Sequence, residues 1–176
     1  MRAPATMEHV LGVLQDLSAA GLEPCLFGGW AKELHRVWHH GAHGDIDVLV
    51  RADTIAALDA FLRERAKPEC LPKHHVHKRA YWHDNVLVEL FHVGPDATTN
   101  FYGEFVRAWR DPLGCKLATP CGQTVEVATA DNIVAYEGGH DQVEAAFYAA
   151  FPAVRDEVAR RYGDLAMPYH KFFPAP

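Results

Sequence analysis

Cysteine is sparse in this 176-residue chain, and its four copies, Cys25, Cys70, Cys115 and Cys121, form no C-x-x-C pair. A zinc site usually draws on paired cysteines or histidines at fixed spacing, so the pattern argues for reduced thiols rather than a metal knuckle or a disulfide scaffold. Basic charge is also in short supply. Lys and Arg total 17 against 23 Asp and Glu, a net charge of −6 with histidine neutral. Binding along a nucleic-acid backbone needs a basic face that releases counterions, so no nucleic-acid partner is expected. No apolar run approaches a membrane span, and the stretch from Met1 to Leu17 is broken by Glu8, His9 and Asp16, which is not the core of a signal peptide. A cytoplasmic protein with no membrane partner is the expectation. With 49% hydrophobic and 23% charged residues, the composition is that of an ordinary folded domain.

What is present is an alternation of helical and strand patterns. Val10, Leu11, Val13, Leu14 and Leu17 recur at helical spacing, predicting a helix over about 6–20 that stops at Gly21. Cys25-Leu26-Phe27 reads as a short buried strand running into Gly28-Gly29. Trp30 to Trp38 reads as a helix ended by His39-His40-Gly41, and Asp45 to Arg51 as a second strand. Ala52 to Ala66 is expected to be helical, followed by a strand from His75 to Tyr81 and another from Asn85 to Val93, joined through Asp84-Asn85. Gly94 to Pro112 reads as a mixed loop with an aromatic piece, and Cys115 to Val127 as a hairpin turning at Cys121-Gly122. Thr129 can cap a helix running to Tyr136, and Val143 to Tyr162 reads as a last long helix. The order predicts an α/β (α+β) fold: a mixed β-sheet flanked by helices, with a catalytic unit over 1–128 and a small C-terminal helical part over 129–176 packed on it.

The chemistry concentrates in "FGGWAKELHRVWHHGAHGDIDVLV", Phe27 to Val50. Side chains two apart on a strand share a face, so Asp45 and Asp47 project together about 6.6 Å apart while Ile46 turns into the core. Two such carboxylates repel unless a cation lies between them, and carboxylate oxygens suit hard ions such as Mg²⁺ or Mn²⁺. Gly28 and Gly29, at the junction of a strand and a helix, let a phosphate approach backbone N–H groups. Either element alone is ambiguous: a Gly-Gly before a helix also makes tight turns, and D-x-D also decorates exposed strand faces.

In the order strand, Gly-Gly, helix, Asp-x-Asp strand, "GGWAKELH" followed by "HGDIDVLV" resembles the polymerase-beta-like nucleotidyltransferase superfamily, and within it the aminoglycoside and lincosamide nucleotidyltransferases. The resemblance extends more loosely over "NVLVELFHV" and "VEVATADNIVAYEGGHDQ". It implies a nucleotidyltransferase fold and transfer of a nucleoside monophosphate from a nucleoside triphosphate, ATP above all, to a hydroxyl of a small molecule. It places metal ligands at Asp45, Asp47 and Glu89, Glu89 also serving as the catalytic base where antibiotic-modifying members usually have Asp. Nucleotide contacts fall on Gly28, Gly29 and His43, the histidine acting on phosphate or positioning Asp45. Lys32, Lys78 or Arg79 would bind phosphate in place of a basic residue that the family carries just before the histidine, where this chain has Gly41-Ala42. Acceptor contacts fall on Tyr136, Glu137, His140 and Asp141. Aminoglycoside-specific members carry an acid two positions after the catalytic carboxylate. Phe91 stands there, which favours a less cationic acceptor such as a lincosamide. The family often forms homodimers, and Phe101 to Trp109 serves equally well as a contact surface or as core.

Three readings compete. A nucleotidyltransferase-fold protein can modify a protein partner in the toxin–antitoxin manner, or bind without turnover. A His/Asp metal-dependent phosphohydrolase can be drawn from His39, His40, His43 and Asp45, or from His74, His75 and His77, but adjacent His-His pairs diverge in direction.

Overall fold

The computed structural model describes residues 4–36, 42–65, 73–102 and 105–137, with isolated positions 149 and 152, and gives backbone alone at 73–75, 101–102 and 105. The first helix, α1 (Met7–Ala19), begins where Thr6 and His9 form a reciprocal capping box. It ends in a Schellman arrangement: Leu22 N–H donates to Leu17 C=O at 3.1 Å, Gly21 N–H donates to Ser18 C=O at 3.0 Å, and Gly21 takes φ 77°. The strand β1 (Glu23–Leu26) leads through Phe27 into α2 (Gly28–Leu34). This helix is shorter than the sequence pattern implies. Arg36 adopts φ 59°, which stops helical propagation after two turns, and Trp38 lies outside the described residues.

The second strand, β2 (Asp45–Arg51), has the expected bounds. The helix after it, α3 (Ile55–Leu62), is half the anticipated length, and Thr54 sits at its N-cap without a capping side-chain bond. The anticipated single strand from His75 to Tyr81 is instead a hairpin, β3 (Lys73–His75) and β4 (Lys78–His83), turning at Val76-His77. Asp84 and Asn85, at φ 49° and 65°, make the two-residue turn into β5 (Val86–Val93). The supposed loop from Gly94 to Pro112 contains a second small hairpin, β6 (Thr98–Tyr102) and β7 (Phe105–Ala108). Then follow β8 (Gly114–Ala118) and β9 (Thr124–Ala128), turning at Gly122 with φ 80°, and a helix α4 over 130–137. Thr129 Oγ1 caps α4 by accepting from Asn132 N–H at 3.3 Å. The anticipated helix from Val143 to Tyr162 falls outside the described residues apart from two isolated positions.

Seven strands form one mixed sheet in the order β3-β4-β5-β2-β1-β9-β8, with β2 parallel to β5 and antiparallel to β1. Its interior strand β5, beside the central β2, is buried at every position but His92, the near-continuous apolar run expected of a strand covered on both faces. One face carries Ile46, Val48, Val88, Leu90, Arg79 and Tyr81, and α3 lies over part of it. Phe61 meets Tyr81 edge to face at 6.0 Å, and Asp59 accepts two hydrogen bonds from Arg79, at 2.6 and 3.0 Å. Burying Leu58, Phe61, Leu62 and the α1 residues Val10, Val13 and Leu17 stabilises this layer by roughly 1.5–3 kcal/mol per side chain. The opposite face holds the acidic residues.

Candidate active site

Register brings the three carboxylates together. The strands β2 and β5 pair in parallel with Asp45 opposite Leu87 and Asp47 opposite Glu89, so paired side chains leave the sheet on the same side. Across β4, Trp82 pairs with Leu87 and Ala80 with Glu89. The face is therefore built in rows: Asp45, Leu87 and half-exposed Trp82; Asp47, Glu89 and Ala80; Leu49, Phe91 and Lys78. Asp45 is exposed, Asp47 partly buried and Glu89 only 4% exposed. A carboxylate buried in so apolar a strand requires a partner, and Lys78, equally buried, forms an ion pair with it. The ammonium of Lys78 also lies 4.1 Å from the centroid of the Phe91 ring.

The glycine junction touches the same carboxylates. Gly28 opens α2 at φ 61°, and a Cβ there would lie 2.9 Å from Asp47 Cγ and 3.0 Å from Asp47 Cβ. Only glycine satisfies both the backbone and the space. Phe27 N–H donates to Asp47 C=O at 2.9 Å, locking the entrance of α2 to the acidic strand. Gly29 follows within the first turn of the helix rather than ahead of it. His43 is buried in the approach to β2: its ring stacks on Trp30 at 4.0 Å, its Nε2 lies 2.6 Å from Glu33 Oε2, and its C=O accepts from Ala5 N–H at 2.8 Å. The imidazole thus clamps α2 against the residues that lead into Asp45.

An aromatic wall rises beside Asp47. Phe27 meets Phe91, Trp109 and Tyr136 edge to face at 6.1, 5.6 and 5.1 Å, while Trp109 stacks on Tyr136 at 5.8 Å. Trp109 is held by donating Nε1–H to Thr99 Oγ1 at 2.9 Å, which places this end of the aromatic stretch in the core. Burial pushes the Tyr136 phenol well above its ordinary pKa, and the nearby charges of Asp47 and Glu89 push the same way, against Arg107. The side chain therefore stays protonated while facing both carboxylates. Glu137 pairs instead with Lys32, linking α4 to α2. His140 and Asp141 lie outside the described residues.

Of the three cations considered for phosphate, Arg79 points to the opposite face, where Asp59 holds it. Lys32 reaches Glu137, and Lys78 pairs with Glu89 on the carboxylate face. His39 and His40 are outside the described residues, and His77 lies in a buried turn rather than on a strand. Among the described residues no three His, Cys, Asp or Glu side chains converge into a ready cation cage. Asp45 and Asp47 nevertheless fit Mg²⁺, which takes one or two carboxylates and completes its shell with phosphate and water. Two pairings escaped sequence reasoning. Glu33, partner of His43, carries no signal of that role; Lys78, read from sequence as a candidate for phosphate, is tied to Glu89 only through the β4–β5 register.

No protein-family model and no curated protein matches this sequence. Solved structures do match its fold. The lincosamide antibiotic adenylyltransferase LnuA, solved with lincomycin bound, superposes with a TM-score of 0.61 at 12% identity over 76% of this chain and 87% of that one. A putative nucleotidyltransferase from Thermotoga maritima gives 0.58 at 15% identity over 92% and 97%. The enzyme ANT(2")-Ia, solved with adenylyl-2"-tobramycin, gives 0.55 at 15% identity over 88% and 87%. The chain thus shares the fold of these nucleotidyltransferase structures. Among the described residues no helix is long and apolar enough to cross a membrane.

Proposed function

We propose that the protein is a Mg²⁺- or Mn²⁺-dependent nucleotidyltransferase that moves a nucleoside monophosphate from a triphosphate, ATP above all, to a hydroxyl of a small molecule. The observation that carries this reading is the placing of Asp45, Asp47 and Glu89 on one face of two adjacent parallel strands, with side-chain-free Gly28 against Asp47. Asp45 and Asp47 would hold the ion. When bound, a divalent cation orients the triphosphate and offsets charge on the transferring phosphoryl group and the leaving pyrophosphate.

The chain's own groups supply the rest. Phosphate oxygens would approach the backbone N–H groups at the start of α2, beside the Asp47 carboxylate that packs against Gly28. The acceptor hydroxyl attacks the α-phosphorus, the bond to pyrophosphate breaks, and Glu89 takes the hydroxyl proton as general base. His43 serves as a positioning residue through Glu33 and Trp30. Phe27, Phe91, Trp109 and Tyr136 form an apolar border, and Phe91 supplies no charge for a polycationic acceptor. This supports a lincosamide-like molecule over an aminoglycoside.

Isothermal titration of ATP, GTP, CTP and UTP, with and without Mg²⁺, tests the reading on the native protein and the Asp45→Asn/Asp47→Asn variant. Metal-dependent binding of one nucleotide, lost in a variant that still melts cooperatively, is expected. Equal binding by the variant would sink the metal assignment.

A further inference from the structure

The ion pair between Lys78 and Glu89 bears on how many ions the acidic face accepts, an inference that rests on the nucleotidyltransferase reading. Nucleotidyl transfer can employ two divalent cations flanking the reacting phosphoryl group. Here the carboxylate opposite Asp47 on the neighbouring strand is already in contact with an ammonium. The Lys78 and Glu89 side chains are 4% and 6% exposed, so this is not a surface pair that water would part. The lysine is anchored at both ends. Its backbone pairs with Phe91, and the Phe91 ring lies 4.1 Å from its Nζ. The main-chain register thereby delivers the charge diagonally to Glu89.

We propose that the Lys78 ammonium takes the place of a second divalent cation, so that the site accepts a single ion, on Asp45 and Asp47. Three carboxylates are then balanced by one divalent ion and one fixed ammonium. A second ion at Glu89 would have to displace an ammonium buried against an aromatic ring, stranding a charge away from water. The ion pair thus lies within the carboxylate face, on the strand next to Asp47.

The test counts Mn²⁺ ions by electron paramagnetic resonance in the complex with α,β-methylene-ATP. The native protein is expected to retain one Mn²⁺ per chain, in a manner lost in Asp45→Asn/Asp47→Asn, whereas Lys78→Met is expected to retain two. A native count of two, abolished by the Asp variant, would overturn the lysine's role while leaving the transferase reading intact. A native count unaffected by the Asp variant would overturn both. The native count decides alone should Lys78→Met fail to fold by circular dichroism. A folded Lys78→Met that still retains one ion also overturns the proposal.

Discussion

Replacing Gly28 with Ala separates backbone cost from site damage, because the structure supplies its own control. Gly28 takes φ 61° and Gly21 takes φ 77°, so alanine at either position must adopt left-handed geometry. That costs roughly 1–2 kcal/mol, and at about 2–4 °C per kcal/mol for a chain of this size the melting temperature should fall by about 2–8 °C in both variants. The two differ in what the new methyl group meets. At Gly21 nothing lies within 4 Å, whereas at Gly28 the methyl stands 2.9 Å from Asp47 Cγ, so the carboxylate must rotate away. Moving a ligand's support typically weakens metal binding by about 10- to 100-fold. Gly28→Ala should therefore lose Mn²⁺ affinity on that scale and melt no higher than Gly21→Ala, which should bind Mn²⁺ as the native chain does. Scanning fluorimetry and Mn²⁺ titration in the presence of nucleotide give both readouts. Gly28→Ala holding Mn²⁺ within a factor of about two of native would refute the contact argument, since it would show that Asp47 binds no metal or binds it from another position.

The buried ion pair gives a thermodynamic signature: Lys78→Met should cost about 3–5 kcal/mol by leaving a buried charge uncompensated, and Lys78→Met/Glu89→Leu should melt above either single variant. Additive losses in that cycle would show that the two side chains do not act on each other. Burial, with Glu126 and Cys115 nearby, pushes the Cys25 thiol up to about 12 from 9.0. The folded pKa being raised, its contribution to stability is complete below pH 9.0 and declines as pH rises toward about 12. Iodoacetamide at pH 8 should accordingly label exposed Cys121 and spare Cys25 until the protein is unfolded, as peptide mass mapping would show; rapid native labelling of Cys25 would contradict its burial.

The elements that local chemistry defines were readable in advance. The strand from Asp45 to Arg51 announces itself by alternation, Asp84-Asn85 by turn preference, and Thr129 by its hydroxyl ahead of a helix. Two of the misreadings share a cause: a competing conformation with no marker residue. Val76-His77 turns without glycine, proline or asparagine, so two strands look like one. Arg36 enters left-handed space although nothing in its side chain favours it, and α2 ends early. The pairing of β2 with β5 and the diagonal of Lys78 to Glu89 are properties of register, which hydrophobic pattern constrains only by face. The acidic motif and Lys78 were legible; their pairing was not.

The order of strands in the sheet means that the carboxylate face is assembled from distant parts of the chain. Strand β1 pairs with β9, β2 pairs with β5, and His35 Nε2 lies 2.8 Å from a carbonyl 93 positions away, at Ala128. Such long-range pairings close late and slowly in folding. They also make occupancy of the face inseparable from the integrity of the whole sheet. Any molecule bound there stabilises the native state by RT ln(1 + [L]/Kd), so the melting temperature reads binding directly and needs no turnover to be seen. On the proposed reading, in which an acceptor would be sought among many hydroxylated compounds, thermal stability itself becomes the screen.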